Sequence, residues 1–388
     1  MKKSITRLGA LAAASMLVLA GCAEAPTETT GGEGSESSAA AEDTAAADDA
    51  ASEDATASEA APAGDNADFK ACMVSDFGGF DDKSFNETSY NGLLQAQEEL
   101  GIEIGQIESN TESEYAGNIQ SQVDAGCNVI VTVGFALAKA TEAAAKQNPD
   151  IDFAIVDFAS FEGVDNAKGL LFNAAEPSFL AGYAAAAVSK TGTVGTFGGT
   201  NYPTVSIFMD GFEQGVKYHN EAKGTDVKVL GWSEEQQNGQ FIGGNDPFGD
   251  IPGGKNTAAT LISQGADVIM PVAGPAGQGA LQAAQESGGK VKVVWVDTDG
   301  TQSAPEFADT ILTSAEKGMD VAVFEAIKAS MEGNFSSEEY VGTLENNGAA
   351  VSELNSSMEI PEGLADEIAE LEKKIIAGEI EITSPSQP

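Results

Sequence analysis

From residue 69 onward, short apolar runs alternate with longer stretches in which apolar positions recur every three or four residues. The runs cover 71–74, 102–107, 129–133, 153–156, 194–197, 227–230, 268–272 and 291–296. Continuous apolar runs rich in β-branched residues suit parallel strands covered on both faces, and parallel strands need crossover helices. Helical periodicity supplies them at 84–100, 116–125, 137–147, 178–190, 205–219 and 256–264. Gly126, Gly192 and Gly265 fall where a helix stops before a strand, the place for a residue that tolerates the left-handed conformation. The pattern predicts an α/β fold of two doubly wound parallel-sheet lobes joined by a hinge.

The order of elements assigns residues 69–172 plus about 300–332 to an N-terminal lobe, and 173–299 plus about 333–388 to a C-terminal lobe. A strand near 308–314 and a helix over 317–331 are expected to return to the first lobe. The segment 348–351 and a helix over 361–377 are expected to pack on the second. Polar clusters gather at the other ends of the strands, where ligands bind in open parallel sheets.

The amino terminus has a different pattern. Lys2, Lys3 and Arg7 precede an apolar run from Leu8 to Ala20, too short for a stable span, which ends in Leu19-Ala20-Gly21-Cys22. The tetrapeptide resembles a bacterial lipobox, so residues 1–22 are expected to be a lipoprotein signal peptide, with Cys22 acylated and anchoring the chain on the extracytoplasmic face of the membrane. Residues 23–68 carry thirteen acidic residues and no basic one, and are too poor in large apolar side chains to form a core. They read as a disordered acidic linker spanning on the order of 35 to 40 Å.

Composition narrows the chemistry. The 388 residues carry a formal net charge of −42, which excludes nucleic acid as a partner. Residues 69–388 keep 48 acidic residues against 16 lysines and no arginine, favouring a neutral or cationic ligand. One histidine and three cysteines leave few parts for a His-based hydrolase or a zinc site. His219 reads as a solvated residue at a polar helix end, and Cys72 and Cys127 as buried thiols rather than a disulfide. Gly195-Thr196-Phe197-Gly198-Gly199 lacks both the dinucleotide fingerprint and the lysine of a phosphate loop, and Asp76 to Asp82 lacks the twelve-residue calcium pattern. No enzyme, cofactor or metal is expected.

The segment Asp76-Phe77-Gly78-Gly79-Phe80-Asp81-Asp82-Lys83-Ser84-Phe85-Asn86 resembles the opening motif of the basic-membrane-protein (BMP) family of ABC-transporter substrate-binding lipoproteins. Further family-like segments follow in order: Val133-Gly134-Phe135, Asn148-Pro149-Asp150, Phe179 to Tyr183, Gly211-Phe212, Gly265 to Ile269, and Thr313 to Lys317. The resemblance covers nearly all of residues 69–388. It implies a type I periplasmic-binding-protein-like fold, a purine nucleoside ligand, ABC permease subunits as partners, and a monomer.

It also implies a site. An aromatic from each lobe would sandwich the base, and the matching residues are Phe85 and Phe248, with Phe241 and Trp232 as alternatives to the second. Asp297 and Asp157 would meet ribose hydroxyls, with Asp299 as the alternative to Asp297. Asp76 and Asn86 would meet polar edges of the base. Lys317 would donate to a ribose oxygen and offset carboxylate charge. From the residues alone, Ser84 is expected to cap its helix. The competing roles are a core position for Phe85 and helix caps or solvated turns for the aspartates. Sugar binding, surface sensing or adhesion, and nucleoside hydrolysis are the rival functions.

Overall fold

The computed structural model describes residues 66–388, so the Cys22 anchor, the signal peptide and nearly all of the acidic linker lie outside the described residues. The chain runs β1 (Lys70–Ser75), α1 (Phe85–Leu100), β2 (Glu103–Ile107), α2 (Tyr115–Asp124), β3 (Val129–Val133), α3 (Ala138–Gln147), β4 (Asp152–Val156) and β5 (Ala167–Phe172). It continues through α4 (Ala175–Val188), β6 (Thr193–Gly198), α5 (Pro203–Lys223), β7 (Lys228–Leu230), the short pair β8 (Trp232–Ser233) and β9 (Asn238–Gly239), α6 (Ile251–Ser263), β10 (Val268–Val272), α7 (Gln278–Glu286) and β11 (Lys292–Asp297). The last elements are α8 (Gly300–Ser303), β12 (Ile311–Lys317), α9 (Met319–Met331), β13 (Tyr340–Gly342), β14 (Ala349–Val351) and α10 (Leu364–Ile376).

Two six-stranded sheets result, ordered β13-β5-β4-β3-β1-β2 and β14-β12-β11-β10-β6-β7. All neighbours within them are parallel except β12 and β14. The two orders are the same pattern written twice, so β4 and β11 hold equivalent places, as do β1 and β6. The inner strands of each sheet are buried on both faces, which is why they read as apolar runs, while the edge strands β2 and β7 stay partly exposed. In the first lobe, Met73, Val131 and Val156 pack toward α1 and α9, and Ile130 and Phe153 toward α2 and α3. In the second, Phe208 and Phe212 of α5 pack with α4 and α10, while Trp295 and Leu261 build the opposite layer.

The sheets move the expected lobe crossings. The strand β12 belongs to the second sheet, so the chain recrosses at Gly318 rather than near residue 300, and β13 belongs to the first sheet rather than to the second lobe. Only the helix α9 returns as expected, packing on α1 where a Cβ at Gly92 would overlap the backbone of Asp320. Local pattern cannot say which of two similar sheets a strand joins. Pairing across the sheet decides it.

Two side-chain readings change as well. Cys72 and Cys127 form a disulfide with their Cα atoms 5.9 Å apart, not separate thiols. The pairing of β1 with β3, with Cys72 opposite Ile130, brings together two residues separated by 55 positions. His219 is buried rather than solvated, its ring 5.0 Å from that of Tyr183 and edge-on to it.

Candidate functional site

Between the carboxyl ends of the two sheets lies a cavity with about 520 Å³ of atom-free space, part of it open to solvent. All seven residues singled out from the sequence line it: Asp76, Phe85, Asn86 and Asp157 from the first lobe, and Phe248, Asp297 and Lys317 from the second. Phe241 and Trp232 do not line it. They pack edge to face on each other in the second lobe, with Trp232 Nε1 donating to Asp210. Asp299 does not line it either, because it caps α8 by accepting from Thr301 N at 2.9 Å.

The strand ends place the carboxylates. Asp76 follows β1, Asp157 follows β4, and Asp297 is the last residue of β11. Asp157 and Asp297 stand at equivalent places in the two sheets and share a positive φ, 62° and 72°. Such backbone costs of order 1 kcal/mol or more for a residue with a Cβ, and its retention is typical of functional sites. Lys317, the last residue of β12, reaches between them, with Nζ 2.7 Å from Asp157 Oδ2 and 3.6 Å from Asp297 Oδ1. The same ammonium lies 5.2 Å from the centre of the Phe85 ring and 5.0 Å from that of Phe208.

The start of α1 is organised by Asp82. Its carboxylate accepts from the backbone N–H of Ser84, Asn86 and Glu87 at 2.9, 3.0 and 3.0 Å. Ser84, expected to cap the helix, makes no side-chain cap bond, because Asp82 already takes the free N–H groups. The amide nitrogen of Asn86 donates to Asp76 Oδ1 at 3.0 Å, to the Phe77 carbonyl at 3.1 Å and to Asp82 Oδ2 at 3.3 Å. Three surrounding oxygens fix the orientation of the amide, leaving Asn86 Oδ1 as a buried acceptor with no protein partner. Asp157 Oδ1 is in the same position.

Burial pushes the Asp76 carboxyl up to about 8, with the Asn86 hydrogen bond opposing the rise and the charges of Asp82 and Asp157 adding to it. Asp82 is raised to about 6 by burial, against its three backbone donors. Burial also raises Asp157, and Lys317 opposes that shift. Burial acts to lower Lys317, but Asp157 and Asp297 outweigh it and hold the ammonium above the ordinary lysine value. The cavity therefore pairs one firmly protonated cation with several carboxyl groups. Among the described residues no cluster of three or more His, Cys, Asp or Glu is placed to hold a metal ion.

Several lining residues were not singled out from the sequence. Phe135 follows Gly134 at the end of β3, stacks on Tyr202 of the second lobe with centroids 3.8 Å apart, and stands 6.3 Å from Phe248. Its position inside the Val133-Gly134-Phe135 segment was the available signal. Thr204, Val205 and Phe208 come from the first turns of α5, whose apolar pattern is indistinguishable from a core-facing helix.

A family model described as "Bmp: ABC transporter substrate-binding protein PnrA-like" matches residues 69–386. "Basic membrane protein A2" of Borrelia garinii subsp. bavariensis is 36% identical over 313 residues, covering 78% of this chain and 85% of that protein. "ABC transporter nucleoside-binding protein BmpA" of Lactococcus lactis subsp. cremoris is 29% identical, covering 99% of this chain and 100% of that protein. Among solved structures, the solute-binding protein of an ABC transporter system from Aeropyrum pernix K1 superposes with a TM-score of 0.69 at 28% identity, covering 82% of this chain and 94% of that one.

Proposed function

The chain belongs to the Bmp family of ABC transporter substrate-binding proteins, which act outside the cytoplasm and are not enzymes, and on that premise we propose that it binds a purine nucleoside in the interlobe cavity and delivers it to an importer's permease. The observation that carries this reading is the pair of buried, unpartnered acceptors, Asn86 Oδ1 and Asp157 Oδ1, in a cavity that also presents aromatic rings from both lobes. A buried acceptor without a donor is costly, so a ligand that brings N–H or O–H groups to both places gains by satisfying them. A base edge and a ribose hydroxyl supply them. The name of the Lactococcus lactis relative, which covers the whole chain, points the same way.

In this reading Phe85 and Phe248 stack on the base, a contribution of roughly 1 to 3 kcal/mol per base. Asn86 accepts from the base edge, and Asp76 beside it meets the same edge. Asp157 and Asp297 accept from the ribose hydroxyls, and Lys317 donates to a ribose oxygen while neutralising part of their charge. The remaining carboxylates disfavour a phosphate, so a nucleoside fits better than a nucleotide. Among the described residues no helix is long and apolar enough to cross a membrane, and acylation at Cys22 is the proposed anchor.

Titration calorimetry of the purified protein, after unfolding and refolding to strip carried-over ligand, tests the reading. The panel is inosine, guanosine, adenosine, cytidine, ribose and a nucleoside monophosphate. Tight one-to-one binding of purine nucleosides, weak binding of ribose and the monophosphate, and loss of at least tenfold in affinity in both Phe85→Ala and Phe248→Ala are expected. Binding of ribose alone would move the protein to the sugar binders.

A further inference from the structure

Ser84 opens α1, yet its hydroxyl is not used on that helix. Asp82 accepts the N–H groups that an N-cap serine would serve, including that of Ser84 itself. The Ser84 side chain is fully buried and is directed across the cleft. Its Oγ lies 3.0 Å from Asp297 Oδ2 and 3.5 Å from the Val296 carbonyl, both in the second lobe. Ser84 does not line the cavity. Its hydroxyl bonds one lobe to the other, and that bond exists only when the lobes are together.

The second cross-lobe contact runs from the other aspartate. Asp157, at the end of the strand equivalent to the one that carries Asp297, holds the ammonium of Lys317 in the second lobe, with Nζ 2.7 Å from its Oδ2. Each lobe thus contributes an aspartate with positive φ after its fourth strand. Lys317 lies between the two aspartates and carries the opposing charge. Hydrogen bonds to ionised carboxylates in a water-poor site are stronger than neutral ones, and opening the cleft would return all of these groups to water.

From this geometry we infer that Ser84 is a closure residue: its cross-lobe bond to Asp297, beside the Lys317–Asp157 ion pair, forms a latch that holds the lobes shut over the ligand and sets its residence time. It positions the carboxylate and recognises neither base nor sugar. The inference takes only the choice of probe from the nucleoside reading.

Stopped-flow fluorescence of the purified full-length protein with inosine tests it. Ser84→Ala is expected to raise the dissociation rate on the order of tenfold, with the association rate changed less than twofold and the thermal midpoint preserved. Ser84→Cys, which keeps a weaker donor at the same place, should fall between wild type and Ser84→Ala. An unchanged dissociation rate in Ser84→Ala would overturn the latch. So would an association rate that falls as much as the dissociation rate rises. If the wild-type protein does not bind inosine, the nucleoside reading fails. The latch is then decided by small-angle scattering without ligand, where a larger radius of gyration for Ser84→Ala than for wild type supports it and equal radii reject it.

Discussion

Asp76 sits at the end of β1 with its carboxyl group turned into the cavity wall, where burial lifts its pKa from the ordinary 3.8 to about 8. The folded protein therefore holds a proton there that the unfolded chain releases near pH 4. Its contribution to stability is complete below about pH 3.8 and is lost as the pH rises toward 8. Asp82, raised to about 6, acts in the same sense over the lower part of that window. Urea midpoints measured from pH 4 to 8 should carry a falling component that Asp76→Asn largely removes, since the amide keeps the acceptor for Asn86 but has no proton to lose. Asn86 is the second sensitive residue. Its amide nitrogen serves three oxygens at once, so Asn86→Asp would replace three donor contacts with oxygen facing oxygen. Calorimetry should then show a loss of at least a hundredfold in nucleoside affinity, about 3 kcal/mol.

The helices α4 and α5 pack closely enough that side chains are excluded along their contact. A Cβ at Gly182, Gly211 or Gly215 would overlap a carbonyl of the facing helix, Phe212, Ala175 and Phe179 respectively. This contact matters for the site because α5 carries Thr204 and Phe208 into the cavity from its first turns. Gly215→Ala, far along α5 from those residues, should cost about 1 to 3 kcal/mol, read as a lowered thermal midpoint, while calorimetry finds nucleoside affinity nearly unchanged. The contrast with Asn86→Asp separates an element that holds the scaffold from one that holds the ligand. At this scale the sequence was widely legible. The eight apolar runs all became strands, because strands buried on both faces cannot hide their pattern. The helix α7 over 278–286, in which Leu281 is the single large apolar residue among Gln, Gly, Ala and Glu, gave a weaker signal and was not read.

For the molecule as a whole, the disulfide ties β1 to the turn before β3 in the middle of the first sheet. A bridge between residues 55 apart limits the unfolded chain by about 4 kcal/mol on a chain-entropy account, and its presence fits an oxidising compartment outside the cytoplasm. Replacing both cysteines, Cys72→Ala with Cys127→Ala, should lower unfolding stability by a few kcal/mol in urea, with the cleft still able to bind. The bridge is confined to one lobe, so it does not restrain the hinge. The three chain crossings between lobes, after β5, β12 and β13, leave the sheets free to close as units, and Ser84 with Asp297 and Lys317 with Asp157 are what meet at their facing ends.

The alternation of apolar runs and helical stretches by itself determined the α/β class and the doubling into two sheets, because burial on both faces writes itself into the inner strands. The run of ordered motifs determined the family, and with it the seven residues that do gather in one cavity. Tertiary structure alone decided which sheet takes β12 and β13, that Cys72 meets Cys127, and that the Ser84 hydroxyl leaves its own helix for Asp297. These depend on contacts between residues from 18 to 213 positions apart. No local preference encodes such a pairing. It exists only once two similar sheets have formed, chosen their strands and brought their carboxyl ends together.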